Sequence, residues 1–463
     1  MNKFDLDPTK SNLIRSIDDN ITGRNSSIYN FLRLLNSQDD PLSIAVTASW
    51  GNGKTFFVKQ CQLLLDSVHL SNNSSDDSEI FNAFKKFGNL EDIKSKHFRT
   101  AYFDAWEHDD EDDPLLSIMQ CLIQSPWRDM ARSSLTSLIS IASDLVSTLT
   151  PIKINEMTKS LLERKIENPE KIKQDFNNAL SKLAPSDGKL VIFIDELDRC
   201  NPTYAVKLLE KIKHYFSNSD ITFVFSVDLD QLQYTINNYY GNGFNGLQYL
   251  DRFFDLVIPL PEPDIDSYFE STDGLLEIDK LFKLDDGQKS CYQNFCSNLI
   301  KKFNFSLRQI NHFYFKTNSS AYKLMDNILN KRLSIIMPSE ENGNFLVYSF
   351  FLPFMNALIE SDITLYHDFI NGNATSHTLD LIAEDPEFIE YFNNIRDDNQ
   401  NSEMNSKKVV SDIYNSIFNN QNISNTSVEI SSQCKILSTL SLKQILISAC
   451  SLLSSTAKFD FSK

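Results

Sequence analysis

Five consecutive apolar residues, Leu190 to Ile194, run directly into the acidic pair Asp195 and Glu196. An uninterrupted run of that length reads as a strand covered on both faces, because a half-exposed strand would alternate apolar with polar residues. Such a strand sits inside a parallel sheet with helices on either side, so the rest of the chain must supply strands and helices in alternation.

The alternation is there. "LSIAVTA", "TAYFDAW", "ITFVFSVD" and "DLVIPLP" read as further strands. Between them lie helical runs: "SSIYNFLRLLNS", the segment from Thr55 to about Asp66, and "LDQLQYTINNYYG". Asn201-Pro202 opens another helix, with Ala205, Leu208, Leu209, Ile212 and Phe216 on one face. Residues 115 to 185 also read as helical, ending in a helix with Asn168 as N-cap, Pro169 at its first position and Ile172, Phe176, Leu180 and Leu183 on its apolar face. The expected fold is α/β, a doubly wound parallel sheet flanked by helices, followed by a mostly helical C-terminal region. The proline cluster at 259–263 marks the boundary, and beyond it helices alternate with Asn- and Ser-rich linkers such as "NQNSEMNSKK" and "NNQNISNTS". Residues 71–78, "SNNSSDDS", read as a loop.

Composition narrows the function. The chain has 463 residues, 41% of them hydrophobic, enough for real cores in two or three units. A formal net charge of −18 excludes a broad sequence-independent nucleic-acid surface, which needs clustered Lys and Arg. Seven scattered cysteines with no C-x-x-C pair suit a reducing compartment, and the first residues, "MNKFDLDPTK", carry no secretory pattern. No stretch reaches the roughly 18 apolar residues of a membrane span. "FLVYSFFLPFMNALI" has the length of a buried core helix. A cytoplasmic location is the expectation.

Chemistry concentrates in two places. "IAVTASWGNGKTFFVKQ" joins a strand to a helix through Gly53, Lys54 and Thr55, the second half of the G-x-x-x-x-G-K-[ST] phosphate loop, with Ala48 where the first Gly usually stands. In such a loop successive backbone N–H groups and a helix N-terminus converge on phosphate oxygens, a Lys neutralises charge and a Thr hydroxyl takes a magnesium position. The backbone of Ser49, Trp50, Gly51, Asn52 and Gly53 would then line the nucleotide, with Lys54 and Thr55 completing the cradle. The second place is the end of the Leu190–Ile194 strand. Asp195 there can hold the magnesium shell, and Glu196 can polarise a water for in-line attack on a γ-phosphate. The acidic run "EHDDEDD", residues 107–113, lacks the ligand spacing of a calcium loop and reads as a solvated loop. Cys200 reads as packing, and no histidine pair has metal-ligand spacing.

Together these segments resemble the KAP group of P-loop NTPases, relatives of the AAA+ and STAND ATPases, over roughly residues 18 to 320. The likeness rests on "SWGNGKT", "YFDAW", "IDELDRCNPTYAVKLLEKIKHYF", "FVFSVDLDQL", "YLDRFFDLVIPLP" and "SLRQINHF", in that order. The resemblance implies that the sheet is of the P-loop NTPase (ASCE/AAA+-like) kind, with ATP and Mg2+ as cofactors. Lys54 and Thr55 would be the Walker A pair, with Trp50 its marker, Asp195 the magnesium ligand through water and Glu196 the catalytic base. It also implies Ser226 or Asp228 as a γ-phosphate sensor, Arg252 as a finger acting across a subunit interface, and Arg308 as a second sensor. Many relatives carry membrane-spanning helices between the two nucleotide motifs, and this chain does not. The implied organisation is a nucleotide-binding core at 1–262 with a helical insertion at about 115–185, a lid-like region at 263–340 and a helical region of unassigned role at 341–463. The implied activity is ATP hydrolysis driving or regulating assembly of a multi-protein complex, with a homo-oligomer and partner proteins of the same system, in bacterial anti-phage defence. The alternative is a nucleotide-gated switch or scaffold that binds ATP without appreciable hydrolysis.

Overall fold

The computed structural model describes residues 7–70, 75–93, 96–111, 113–125, 127, 134–136, 140, 169–215, 220–241, 243–271, 286–330, 346–395, 405–419, 427–429, 435–437 and 439–451. Contacts divide the chain into two compact units, Met1–Asp264 and Ile265–Lys463.

The first unit is built on five parallel strands: β1 (Ser43–Thr47), β2 (His97–Asp104), β3 (Gly188–Asp195), β4 (Ile221–Val227) and β5 (Leu256–Pro259), in the order β2-β3-β4-β1-β5. The Leu190–Ile194 run lies in the second position, as its composition demands. Leu190, Ile192 and Ile194 point to one face and Val191 and Phe193 to the other, and all five are fully buried. Side chains of that size contribute roughly 1.5–3 kcal/mol each when buried. The same period of two splits Phe223 and Phe225 from Val224, and Ala45 from Ile44 and Val46.

One face is covered by α2 (Asn25–Ser37) and α3 (Lys54–Leu70), through Ile28, Phe31, Leu32, Phe57, Val58 and Leu65. The other is covered by α5 (Pro114–Gln124), α6 (Pro169–Ser181), α7 (Pro202–Tyr215) and α8 (Leu229–Tyr240). The opening of α7 follows its sequence: the Asn201 side chain accepts the Thr203 N–H at 2.9 Å and Pro202 takes the first helical position. Two further helices, α1 (Lys10–Asp18, capped by Thr9) and α4 (Ser75–Phe84), complete the layer beside α3.

Several local expectations change. Ser75 to Ser78 belong to α4 rather than to a loop, and residues 71–74 lie outside the described residues. Strand β2 ends at Asp104, so Ala105 and Trp106 form a turn. Much of the helical interval 115–185, Asn168 included, also lies outside the described residues. The acidic run is not simply solvated. Asp113 is buried, caps α5 through the Leu115 N–H at 2.9 Å and pairs with Lys211 at 3.1 Å, while Asp109 accepts the Asn201 N–H.

The second unit is mostly helical. Helices Asp286–Lys302, Leu307–Asn330, Leu352–Ser361, Ser406–Phe418 and Thr439–Cys450 are among its longer described elements, and Ser427–Glu429 pairs antiparallel with Lys435–Leu437, a small sheet absent from the sequence reading. The apolar run around Pro353 is buried over residues 346–358. Val347–Phe351 winds as a π-helix into Leu352–Ser361, which accommodates a proline that cannot donate to the preceding turn. No helix among the described residues is long and apolar enough to cross a membrane.

Candidate nucleotide-binding site

Strand β1 leads to β2 on one side of the sheet while its neighbour β4 leads to β5 on the other, so the direction of the connections switches between β1 and β4, and ligands of open α/β sheets bind in the crevice at such a point, beyond the C-terminal strand ends. Three loops define it. The turn after β1 carries Gly51 and Gly53 at φ of 82° and 79°, left-handed conformations that a side chain would strain. It closes through Asn52 N–H to the Ser49 carbonyl at 3.4 Å, and the Phe57 N–H bonds the Gly53 carbonyl as α3 begins. Lys54, the first residue of α3, is only 8% exposed. Its ammonium donates to the Ala48 carbonyl at 2.7 Å and the Ser49 carbonyl at 3.5 Å. Burial pushes the Lys54 pKa down, and the charges of Asp198, Asp228, Asp195 and Glu196 oppose that shift. Thr55, in the same first turn, is half-buried.

The turn after β3 presents the carboxylates. Asp195 is 1% exposed, with Oδ2 accepting from the Tyr102 hydroxyl at 2.8 Å and Oδ1 from the Glu196 N–H at 3.0 Å. Glu196 is left-handed at φ 60°, a conformation costing a non-glycine residue about 1–2 kcal/mol and typical of functional sites. Its carboxyl is pushed up to about 7, first by burial and then by the Asp195 charge, with Arg199 acting against. Arg199 Nε meets Glu196 Oε2 at 2.6 Å. Asp198 is buried, its Oδ2 accepts the Trp50 indole N–H at 2.5 Å, and its Oδ1 has no partner. The turn after β2 is held by Asp104, whose Oδ1 accepts the N–H groups of Trp106 and Glu107 and which pairs in register with Asp195.

The two sensor candidates differ. Ser226, in register with Asp195, is buried with an unpartnered hydroxyl. Asp228 accepts the Gln231 N–H at 3.2 Å and caps α8. Arg252 is exposed, in the turn before β5. Arg308 is exposed near the start of Leu307–Asn330 in the second unit. Cys200 is buried, its Sγ directed at the Glu196 carbonyl, and burial pushes its thiol far up, as expected of a packing residue.

Sequence reasoning missed Arg24. Its Nη1 donates to the Asn52 carbonyl at 2.6 Å and its Nε to the Pro261 carbonyl at 2.8 Å, so it clamps the glycine turn to the segment after β5. Arg24 is 3% exposed, and burial lowers its pKa to about 10. Gly23 makes room for this: at φ 68°, a Cβ there would lie 2.7 Å from that of Asp264. The available signal was a glycine and a cation immediately before a helix.

The arrangement fits a phosphate-bearing ligand with magnesium. Left-handed glycines leave the loop backbone approachable, and Asp198 Oδ1 and Ser226 Oγ are buried polar atoms without partners. No three His, Cys, Asp or Glu side chains among the described residues converge on a metal position. Magnesium takes one or two protein oxygen ligands and completes its shell with phosphate and water, and the Thr55 hydroxyl and Asp195 carboxylate are donors of that type.

Comparison with known proteins agrees with this geometry. The sequence model of the KAP family P-loop domain matches residues 24–335. No curated protein matches the chain. Among solved structures, the Aeropyrum pernix ORC2 protein (ADPNP-ADP complexes) aligns over 93% of this chain and 93% of its own at 12% identity, with a TM-score of 0.30.

Proposed function

The chain belongs to the KAP family of P-loop NTPases, and on that premise we propose that it binds ATP with magnesium and hydrolyses it. The observation that carries the reading is the convergence of the Lys54 ammonium with Asp195, Glu196, Asp198 and Asp228 at one end of the sheet, beside a turn with two left-handed glycines.

In this reading the backbone of Ser49 to Gly53 and the N-terminus of α3 bind the phosphates, and Lys54 leaves the Ala48 carbonyl to meet them. Thr55 and Asp195 would hold magnesium, which would supply charge neutralisation at the phosphates. Tyr102 and the Glu196 N–H fix the Asp195 carboxylate. Glu196 accepts a proton from the attacking water, and a carboxyl with pKa near 7 suits a base working at neutral pH. Ser226 or Asp228 senses the terminal phosphate.

Arg252 acts on a neighbouring copy. Its exposure supports this, as do the exposed aromatic and apolar side chains of α8, the loop after it and the following helix Gly246–Leu250: Tyr234, Tyr239, Tyr240, Phe244 and Leu247. Exposed apolar groups gathered in one region mark contact surfaces. Residues 263–340, with Arg308, act as a lid, and 341–463 report to partner proteins. The output is regulated assembly of a multi-protein complex, with anti-phage defence as its setting by family resemblance.

The test is ATP turnover against concentration of the purified chain, for the parent and Arg252→Ala. A specific rate that rises with concentration and is lost in the variant supports a shared site. A concentration-independent rate equal in both removes Arg252 from the mechanism.

A further inference from the structure

Glu196 does not stand alone in the crevice. Arg199, three residues on, holds its carboxylate at 2.6 Å, and both side chains are mostly buried, at 24% and 19% exposure for Arg199 and Glu196. The guanidinium is flanked by two partly exposed indoles. Its carbon lies 5.8 Å from the centroid of Trp50 and 5.5 Å from that of Trp106. These two indoles come from different segments, Trp50 from the turn after β1 and Trp106 from the turn after β2, while Arg199 follows β3. Trp50 is tied back to the Arg199 turn through Asp198. Three crevice-forming loops therefore meet on one cation.

We propose that Arg199 is a positioning residue for Glu196, fixed by the Trp50 and Trp106 rings, so that the placement of the base follows the conformation of the phosphate loop. This inference rests on the reading of Glu196 as the base. A free arginine samples many rotamers, whereas a planar guanidinium against two indoles and one carboxylate keeps a single geometry. Trp50 is the immediate neighbour of Gly51, so any closure of the loop on phosphate moves one wall of the cage. Misplacing a reacting group by about 1 Å can cost on the order of 10² in rate. An ion pair that served only the fold would change stability and leave turnover alone.

The experiment uses the full chain and compares Arg199→Ala, Arg199→Lys and Trp106→Ala with the parent and with Glu196→Gln, reading kcat, KM, equilibrium ATP affinity and thermal unfolding. Arg199→Ala should lower kcat by about 30- to 100-fold with KM and affinity within about threefold. Arg199→Lys should recover only part of that loss, because an ammonium keeps the charge and loses the planar guanidinium that lies beside the two indoles. Trp106→Ala should lower kcat less, by roughly fivefold, since one wall and the carboxylate contact remain. Parental kcat in Arg199→Ala with a dead Glu196→Gln overturns the proposal and leaves the ATPase reading intact. A raised kcat also overturns it, by making Arg199 a restraint. A loss carried by affinity or by unfolding assigns it a structural role. Parental turnover in Glu196→Gln removes the base assignment and the proposal with it, a failure visible in that variant alone. Should Arg199→Ala fail to fold, Arg199→Lys and Trp106→Ala decide by the same kcat-against-KM split.

Discussion

The indole nitrogen of Trp50 donates to Oδ2 of Asp198 at 2.5 Å, joining the glycine turn after β1 to the carboxylate turn after β3 across 148 residues of sequence. Burial raises the pKa of the Asp198 carboxyl, and the Trp50 indole is the largest of the contacts that act against that rise, ahead of the Lys54 charge.

Replacing Trp50 by Phe keeps a ring beside Arg199 and removes the donor. An unsatisfied buried polar group costs about 1–3 kcal/mol. Trp50→Phe should therefore lower the unfolding free energy by roughly that amount, measured by urea denaturation, and Asp198→Asn in the same background should recover part of it.

Arg24 gives a second prediction. Hydrogen bonds from a charged donor contribute about 1.5–3 kcal/mol each, and Arg24 makes two, to the carbonyls of Asn52 and Pro261. Relief of guanidinium burial offsets part of this, so Arg24→Ala should cost roughly 2–4 kcal/mol. Because Asn52 belongs to the glycine turn, the variant should also bind ATP more weakly, which titration calorimetry reads directly.

Asp66 predicts a pH dependence. Burial raises its carboxyl to about 6, with the Thr100 hydroxyl, 2.6 Å from Oδ1, acting the other way. The folded chain therefore holds this proton more tightly than the unfolded chain, and stability falls as pH rises from about 4 through about 6. Asp66→Asn removes the cost of ionising a buried group. It should match the parent near pH 4 and exceed it by about 1–3 kcal/mol at pH 8, measured by denaturant unfolding across that range.

Legibility in the sequence divides along physical lines. Strands β1, β3 and β4 could be read because a parallel sheet covered on both faces demands continuous apolar runs, and Leu190–Ile194 has no other comfortable home. The phosphate-loop glycines were legible because the left-handed backbone at Gly51 and Gly53 restricts the residue type. Arg24 was not, since nothing local says that a cation 28 residues ahead of Asn52 will reach its carbonyl. The left-handed Glu196 was hidden for the same reason: tertiary contacts, not propensity, hold a Glu in that region. Ser75 to Ser78 misled because their polarity suits a loop as well as it suits the exposed start of a helix. The acidic run misled because charge alone does not reveal that Asp113 caps α5 and meets Lys211.

The most direct test of the central claim is a paired measurement of ATP affinity and ATP turnover on Glu196→Gln, with Lys54→Ala as the control for binding. The account predicts that Glu196→Gln binds ATP within about threefold of the parent while turnover falls by at least about 10²-fold, and that Lys54→Ala loses binding. ATP bound but never hydrolysed by the parent chain, or parental turnover in Glu196→Gln, would contradict it, the first by making the protein a nucleotide-gated switch and the second by placing the base elsewhere.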